Sequence, residues 1–584
     1  MYALLLSGWK LLNRPSNGFE RTGVKGRLLA WLADRHRGHV LLLLAAVVGV
    51  YLPWLGSPFF FDDIPFFGGQ PTVEPWLSVM LRPRGLPYNT LQFTWHWFGN
   101  TLSHAYHLFD LLLHAANAIA LFYVLLALTS LQLPERKTSQ LAWACLLGSL
   151  LFALNPMATY AAGYVIQRSI LMATFFSLLA HVAWLRAWTS GRASLALLTL
   201  LLYFLASFSK EHSFLLPAIL AASSVLLGRQ RQLSSAAIAT CSAAALCIAI
   251  FLILRRSDVV GAYEPMSAHV FDQSGVSASG WLLHLLSIAT QAGLYFRYVV
   301  MWLIPIPAWM SIDMRVDFLT SLLDWRVAAG LLAFAACGLL GLRLLMKKGS
   351  AGLLGLALLA PILWFLVEFA TIRVQEAFVL YRSYLWMPLL MLLPTLLALR
   401  LLDAVKPTLQ PAARWLAPLL LMLFLVPAAT NRLAVAADPW TLWDDAARLL
   451  KNDAVPGADR ILYNRGRAAL NAGQSARAVA DLERVARISP ALWQVWQVLG
   501  AAHLANSQPQ LAQQDFKRAL ELRPDDGALL FGLAIAQRRS GQQELASASL
   551  QASCKASWMP ACLAAARLQV EERNSSKNLA AGAN

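Results

Sequence analysis

The sequence predicts an all-α fold in two parts: a polytopic membrane bundle of about eleven spans, then a soluble solenoid of repeated helix pairs. Three observations carry this expectation. Hydrophobic residues make up 58% of the 584 residues and charged ones only 14%, whereas soluble domains are nearer a quarter charged. Long apolar runs concentrate between residues 40 and 437, and a spanning helix needs about 20 such residues. From residue 438 the chain turns polar and later shows a 34-residue period. A single soluble globule, a disordered polymer and a small disulfide scaffold are excluded. The net charge of +17 gathers in loops beside apolar runs, where basic residues report orientation rather than nucleic acid.

Residues 1–39 are polar and basic. Lys10, Arg14, Arg21, Lys25, Arg27, Arg35 and Arg37 precede the first long apolar run. The short run Tyr2–Leu6 stands ahead of these charges, the reverse of a cleavable signal, so the first span is expected to be a retained anchor with a cytoplasmic leader. Spans are expected near 40–56, 107–128, 141–159, 169–186, 194–208, 213–228, 235–254, 326–346, 351–371, 385–402 and 414–431. Their short inward loops hold Arg136/Lys137, Arg186/Arg192, Arg229/Arg231, Arg343/Lys347/Lys348 and Arg400/Lys406/Arg414, as the positive-inside bias requires. An odd count places the tail outside, in the periplasm of a Gram-negative cell, on a bacterial inner-membrane protein. The apolar stretch 281–305 is expected to lie on or dip into the outer face: it contains Arg297, and counting it as a span would turn Lys347 and Lys348 outward.

The chain thus divides into a basic leader (1–39), a membrane domain (40–437), a linker (438–458), repeats (459–562) and a terminal tail (563–584). In the repeats, Gly466, Gly500 and Ala534 are spaced by 34, as are Pro490 and Pro524. Trp496, Leu499, Gly500, His503, Ala512, Phe516, Ala519 and Pro524 follow the tetratricopeptide pattern: small residues where two antiparallel helices touch, large ones filling the gap, proline ending the second helix. Two to three repeats are expected. Such arrays present a concave surface to peptides or partners, and one this short is expected to lean on the membrane domain. Cys145, Cys241, Cys247 and Cys337 read as packing residues in spans. Cys554 and Cys562 can pair in an oxidising compartment.

Ionisable residues in or beside spans are costly and count as functional candidates. Phe59-Phe60-Phe61-Asp62-Asp63 follows the first span. Its aromatics suit the membrane interface, and a partly desolvated carboxylate there can act as general base toward a hydroxyl. A helix cap or a solvated loop is the competing explanation. The outer loop carries Arg82. In the second span His107, Asp110, His114 and Asn117 share one helical face, expected to form a hydrogen-bonded cavity wall. Outward ends collect Gln167, Arg168, Lys210, Glu211, Arg297, Arg373, Glu376, Arg382 and Tyr384. Convergent cations suit a lipid-linked phosphate, which arginine binds bidentately. No nucleotide-binding glycine pattern, nucleophile elbow or metalloprotease motif occurs in the sequence. An outward-facing enzyme then needs a donor already in the membrane.

The order of these motifs resembles the multi-span glycosyltransferases of the GT-C type, the tetratricopeptide-containing transmembrane O-mannosyltransferases and their bacterial pilin-glycosylating relatives among them. The resemblance rests on Phe61-Asp62-Asp63 after the first span, Arg82-Pro83, Tyr106-His107, Leu113-His114-Ala115-Ala116-Asn117, Gln167-Arg168 and Ser209-Lys210-Glu211, with repeats after them. It covers about residues 40–400. Asp110 stands where that family has Asn, Asn155-Pro156 replaces the commoner His-Pro, and the late motif reads Glu376-Ala-Phe-Val-Leu-Tyr-Arg382-Ser-Tyr384.

The resemblance implies a GT-C-like bundle that transfers a sugar from a polyprenyl-phosphate donor at the outer face, with inversion and without a metal or other cofactor. Asp62 or Asp63, with Asp62 slightly favoured, would deprotonate the acceptor hydroxyl. Arg168, Lys210, Arg297, Arg373 and Arg382 would meet the donor phosphate. Arg82, His107, Asp110, His114, Asn117, Gln167, Glu211, Glu376 and Tyr384 would contact substrate. The repeats would present an acceptor protein or glycan. Two rivals stand beside this reading: a ligase or polymerase using a diphosphate-linked oligosaccharide, and a non-enzymatic envelope scaffold.

Overall fold

The computed structural model describes residues 36–69, 72–75, 82–99, 102–255, 280–374, 376–453 and 455–567. Most of the basic leader and the last residues of the tail lie outside them. Among the described residues regular structure is helical. The membrane part contains α1 (Arg37–Tyr51), α2 (Asp63–Gly68), α3 (Gly85–Phe98), α4 (Ser103–Gln132), α5 (Thr138–Ala153), α6 (Pro156–Ala162), α7 (Arg168–Ser190) and α8 (Ala193–Ser209). It continues through α9 (Leu216–Leu227), α10 (Ser235–Arg255), α11 (Gly280–Leu303), α12 (Trp325–Leu345), α13 (Gly349–Phe365), α14 (Leu392–Ala404) and α15 (Gln410–Ala437).

A helix falls on each of the eleven expected spans, but their lengths differ. Six are long and apolar enough to cross a membrane, or seven if the bent pair α5 and α6 is one span. The protein is a multi-pass membrane protein, and helix length alone does not confirm the count of eleven. Two local causes are visible. Asn155 caps α6 by accepting the Met157 N–H, and Pro156 takes the first helical position, so the chain bends by 60° there. The Lys210 turn divides the apolar stretch around it into helices of 17 and 12 residues, α8 and α9. At 1.5 Å per residue, both fall short of a hydrocarbon core about 30 Å thick. The 281–305 stretch is the continuous helix α11 and is not among the six. Glycines set the tightest approach: a Cβ on Gly355 would collide with the α12 backbone at Leu345, the small-residue packing that membrane helices use.

The stretch 438–458, expected as a linker, contains a further helix, α16 (Pro439–Arg448), capped by Asp438. Three helix pairs complete the array: α17 (Ala458–Asn471) with α18 (Ser475–Ile488), α19 (Trp493–Ala505) with α20 (Pro509–Leu522), and α21 (Gly527–Arg539) with α22 (Gln543–Lys555). The periodic residues meet as the pattern requires. Gly466 faces Leu482, and Gly500 lies against the Phe516 ring. Cys554 and Cys562 form a disulfide. The array leans on the membrane part through Trp443, Ala446 and Ile461, which pack with Phe61 and Ile312. Ion pairs Arg432–Asp445 at 2.8 Å and Lys451–Asp317 at 2.7 Å join the two parts.

Candidate active site

The adjacent carboxylates Asp62 and Asp63 enter different surroundings because α2 begins between them. Asp63 is fully buried. Its Oδ1 accepts the Ile166 N–H at 2.8 Å and its Oδ2 the Phe60 N–H at 3.4 Å. Burial pushes this carboxyl well above the ordinary carboxylate range, although both backbone donors pull the other way. Asp63 therefore ties the segment before α2 to the segment before α7. Asp62 is exposed. Its N–H donates to the Tyr164 hydroxyl at 3.0 Å.

Asp62 opens on a cavity of about 140 Å3, lined also by Phe61, Tyr164, Ile312, Asp313, Met314, Glu376, Phe378, Val379, Tyr381 and Arg460. Arg460 comes from α17, the first helix of the array. It donates to Asp313 at 2.8 Å through Nε and to Glu376 at 2.9 Å through Nη1. Arg315 also reaches Asp313, at 2.8 Å. Burial would raise the Asp313 and Glu376 carboxyls, but Arg315 and Arg460 on one, and Arg460 and Arg382 on the other, hold both below their usual range.

Beyond Glu376 the site becomes cationic. Arg382 donates to the Glu376 carbonyl at 2.9 Å and lies 3.6 Å from Glu368. Glu368, buried, also accepts from Arg373 at 3.1 Å and from His212 Nε2 at 2.6 Å. Arg84 forms a bidentate pair with Glu211, its Nε at 2.8 Å. Lys210 is buried among these groups. Burial pushes its ammonium down to about 7, and Arg84, Arg382 and Arg373 add to the effect while Glu211 opposes it. The Lys210 turn is thus flanked by arginines.

The other sequence candidates are placed elsewhere. Arg168 and Asp110 form an ion pair at 2.7 Å with both side chains fully buried. Arg168 also donates to Thr94 and to the Tyr106 carbonyl, each at 3.2 Å. The carboxylate at position 110, where the resembling family has Asn, thus serves a buried guanidinium, and Arg168 does not line the cavity. His107 donates to the Ser57 carbonyl at 3.1 Å. His114 Nε2 donates to the Ala153 carbonyl at 2.9 Å, so its Nδ1 accepts from the Tyr384 hydroxyl at 2.7 Å. That hydroxyl accepts from Asn117 at 3.2 Å. The polar stripe of α4 binds neighbouring helices instead of lining the Asp62 cavity. Gln167 is buried, its Oε1 without a hydrogen-bond partner among the described residues. Arg82 pairs with Glu74 at the surface, at 2.5 Å.

Arg297 lies over the Phe378 ring at 4.7 Å, on the far side of a residue that lines the cavity. It borders a groove of about 530 Å3 formed with Phe296, Val300, Met301, Ala308, Trp309, Met314, Arg315 and Leu449. Met314 belongs to both spaces. No group of three or more His, Cys, Asp or Glu able to hold a metal occurs among the described residues. Sequence reasoning missed Tyr164, Asp313, Arg315 and Arg460. They sit in segments with no distinguishing pattern, and Arg460 reaches the others from the array.

Fold and site together define an all-helical, multi-pass membrane protein whose extramembrane repeat array closes one side of an acidic and basic cavity. Residues 443–492 and 498–558 match the family model for the tetratricopeptide repeat. Superkiller complex protein 3 of Mus musculus is 37% identical over 87 residues, 15% of this chain and 6% of that protein. The Homo sapiens protein of the same name is 36% identical over 87 residues, with the same coverage. The chain thus spans a small fraction of these curated relatives, and the match is confined to a short stretch. Among solved structures, "MamA MSR-1 C2" is 22% identical and covers 22% of this chain and 76% of its own, with a TM-score of 0.19. A crystal structure of ArnT from Cupriavidus metallidurans bound to undecaprenyl phosphate is 14% identical, covers 86% of this chain and 89% of its own, and has a TM-score of 0.34.

Proposed function

We propose that this protein is a GT-C type glycosyltransferase of the bacterial inner membrane, moving a hexosyl or pentosyl group from a polyprenyl-phosphate donor to a hydroxyl of a protein or glycan acceptor at the outer face. The observation that carries the reading is the continuity of the site. The open carboxylate of Asp62 and that of Glu376 line one cavity, and Glu376 pairs with Arg382, which shares Glu368 with Arg373 and lies near Lys210. In the reaction the acceptor oxygen attacks the anomeric carbon as Asp62 takes its proton. The bond from that carbon to the phosphate oxygen breaks, and the electron pair leaves on the polyprenyl phosphate. Fixed cations aimed at the developing phosphate charge lower the barrier without reorganising. Attack opposite the leaving group inverts the anomeric centre.

Asp63, buried and hydrogen-bonded to two backbone N–H groups, is a positioning residue for Asp62. Lys210 and Arg382 are the phosphate ligands, and Arg84 and Arg373 fix the carboxylates around them. The groove under Arg297 is apolar enough for a prenyl chain, with the guanidinium at its cavity end. Arg168, Asp110, His107, His114 and Asn117 act in the scaffold. The Cys554–Cys562 bond supports an array on the oxidising, outer side. The early acid pair and the small cavity favour this reading over an oligosaccharide ligase, and the buried lysine among arginines favours it over a scaffold. The test is mass spectrometry of periplasmic and surface glycoproteins, pili included, from cells with and without the gene. The reading requires a single hexose or pentose mass lost in the deletion and restored by the wild-type chain. Unchanged glycoforms refute it.

A further inference from the structure

We propose that Arg460 of the repeat array is a substrate-positioning residue of the membrane cavity, so that the array is a wall of the site and not only a tethered recruiter. This inference rests on the glycosyltransferase reading of the site. Three observations carry it. First, Arg460 is fixed from two sides, by Asp313 at 2.8 Å and Glu376 at 2.9 Å. Both carboxylates belong to the membrane part, and both line the cavity with Asp62. Second, these bonds use Nε and Nη1, and Nη2 makes no hydrogen bond among the described residues. Third, the start of α17 lies against the membrane part. Gly457, with φ +83°, precedes that helix and stands beside the Arg315 guanidinium, and the positive φ favours glycine there.

The consequence is chemical. A hydroxyl entering between Asp62 and Arg460 meets a carboxylate that takes its proton. The N–H pair on Nη2 of Arg460, which lines the same cavity, would hold a neighbouring oxygen of the acceptor. Orienting the nucleophile by a fixed guanidinium is the kind of positioning that raises the rate of a two-substrate step. Glu376 joins Arg460 to Arg382, so the same carboxylate holds the acceptor wall and the phosphate cluster in register.

Two experiments on the full-length chain test this. In a background lacking the four free cysteines, Arg460→Cys with Glu376→Cys is treated with a short bifunctional thiol reagent in intact membranes. Crosslinking within the chain is expected, and its absence overturns the inference whatever the activity. In the second, Arg460→Gln, Arg460→Lys and the control Lys451→Ala, which breaks a rim ion pair away from the cavity, are compared for glycoprotein product in cells. Their melting shift on adding undecaprenyl phosphate is also measured. Arg460→Gln should lower product at least tenfold with the lipid-induced shift retained, Arg460→Lys should restore part of it, and Lys451→Ala should match wild type. Full product from Arg460→Gln overturns the role of Arg460 and leaves the enzyme reading standing. Loss of product from Lys451→Ala equal to that from Arg460→Gln reduces Arg460 to a docking contact. A wild-type chain that makes no product overturns the enzyme reading, and the role of Arg460 falls with it.

Discussion

Arg168 donates its Nε hydrogen to Asp110 at 2.7 Å, and neither side chain has any exposed surface. Removing one member of such a pair strands the other charge, at a cost of about 3–5 kcal/mol. Asp110→Ala is therefore expected to lower the melting temperature of the purified protein sharply. Asp110→Asn still accepts a hydrogen bond and should be milder. A normal melting temperature in Asp110→Ala together with lost undecaprenyl phosphate binding would return Arg168 to the donor site.

Lys210 gives the site a pH dependence of defined sign. An unperturbed lysine keeps its proton to about pH 10.4, whereas burial and Arg84 bring this one down to about 7. Between these values the folded chain binds fewer protons than the unfolded chain, so this group's contribution to stability increases with pH. The charge offered to a phosphate falls over the same window. Undecaprenyl phosphate affinity at fixed ionic strength should drop from roughly pH 6 to pH 9. In Lys210→Gln the lysine-dependent part of that drop should vanish, which separates it from titration of the lipid phosphate itself. Identical profiles for the two proteins would contradict the assignment.

The Asp63 carboxylate accepts two backbone N–H groups, and each buried donor left without a partner costs about 1–3 kcal/mol. Asp63→Ala should therefore destabilise the protein, Asp63→Asn less so, and Asp62→Asn not measurably. Thermal melts of the three variants check this. Equal destabilisation by Asp62→Asn would mean that the two carboxylates share a structural task.

The proposed function places the repeat array on the outer side. In intact cells quenched with a membrane-permeant alkylating agent, Cys554 and Cys562 should be found paired and should label only after reduction. Replacing both by serine should destabilise the end of the array by about 2.5 kcal/mol, the loop-closure value for so short a loop. Free thiols in quenched cells would place the array in the cytoplasm and remove the outer-face reading.

The legible parts of this protein were those encoded locally. The 34-residue period from Gly466 to Ala534 marked the helix pairs, and the close pairs Gly466–Leu482 and Gly500–Phe516 show why small residues recur there. Asp62-Asp63 and Lys210-Glu211 stood out because charge beside an apolar run is costly. The same logic singled out Arg168 and the α4 stripe without saying what they meet, because cost alone does not distinguish a ligand from a partner side chain. Arg168 finds Asp110 at a separation of 58 residues, which no local pattern encodes. Arg460 was invisible for a related reason: in sequence it is one polar residue on a repeat helix, and its place in the cavity depends on where that helix docks. The expected spans are interrupted at the Lys210 turn and at Asn155-Pro156, where polar or helix-breaking residues cut apolar runs into short helices.

The most direct measurement is the glycan product formed by Asp62→Asn in cells lacking the native gene, with protein level, melting temperature and undecaprenyl phosphate binding measured in parallel. The account predicts a fall in product of roughly a hundredfold or more, the scale of a lost general base, with the other three readings at wild-type values. Wild-type product from Asp62→Asn would contradict it.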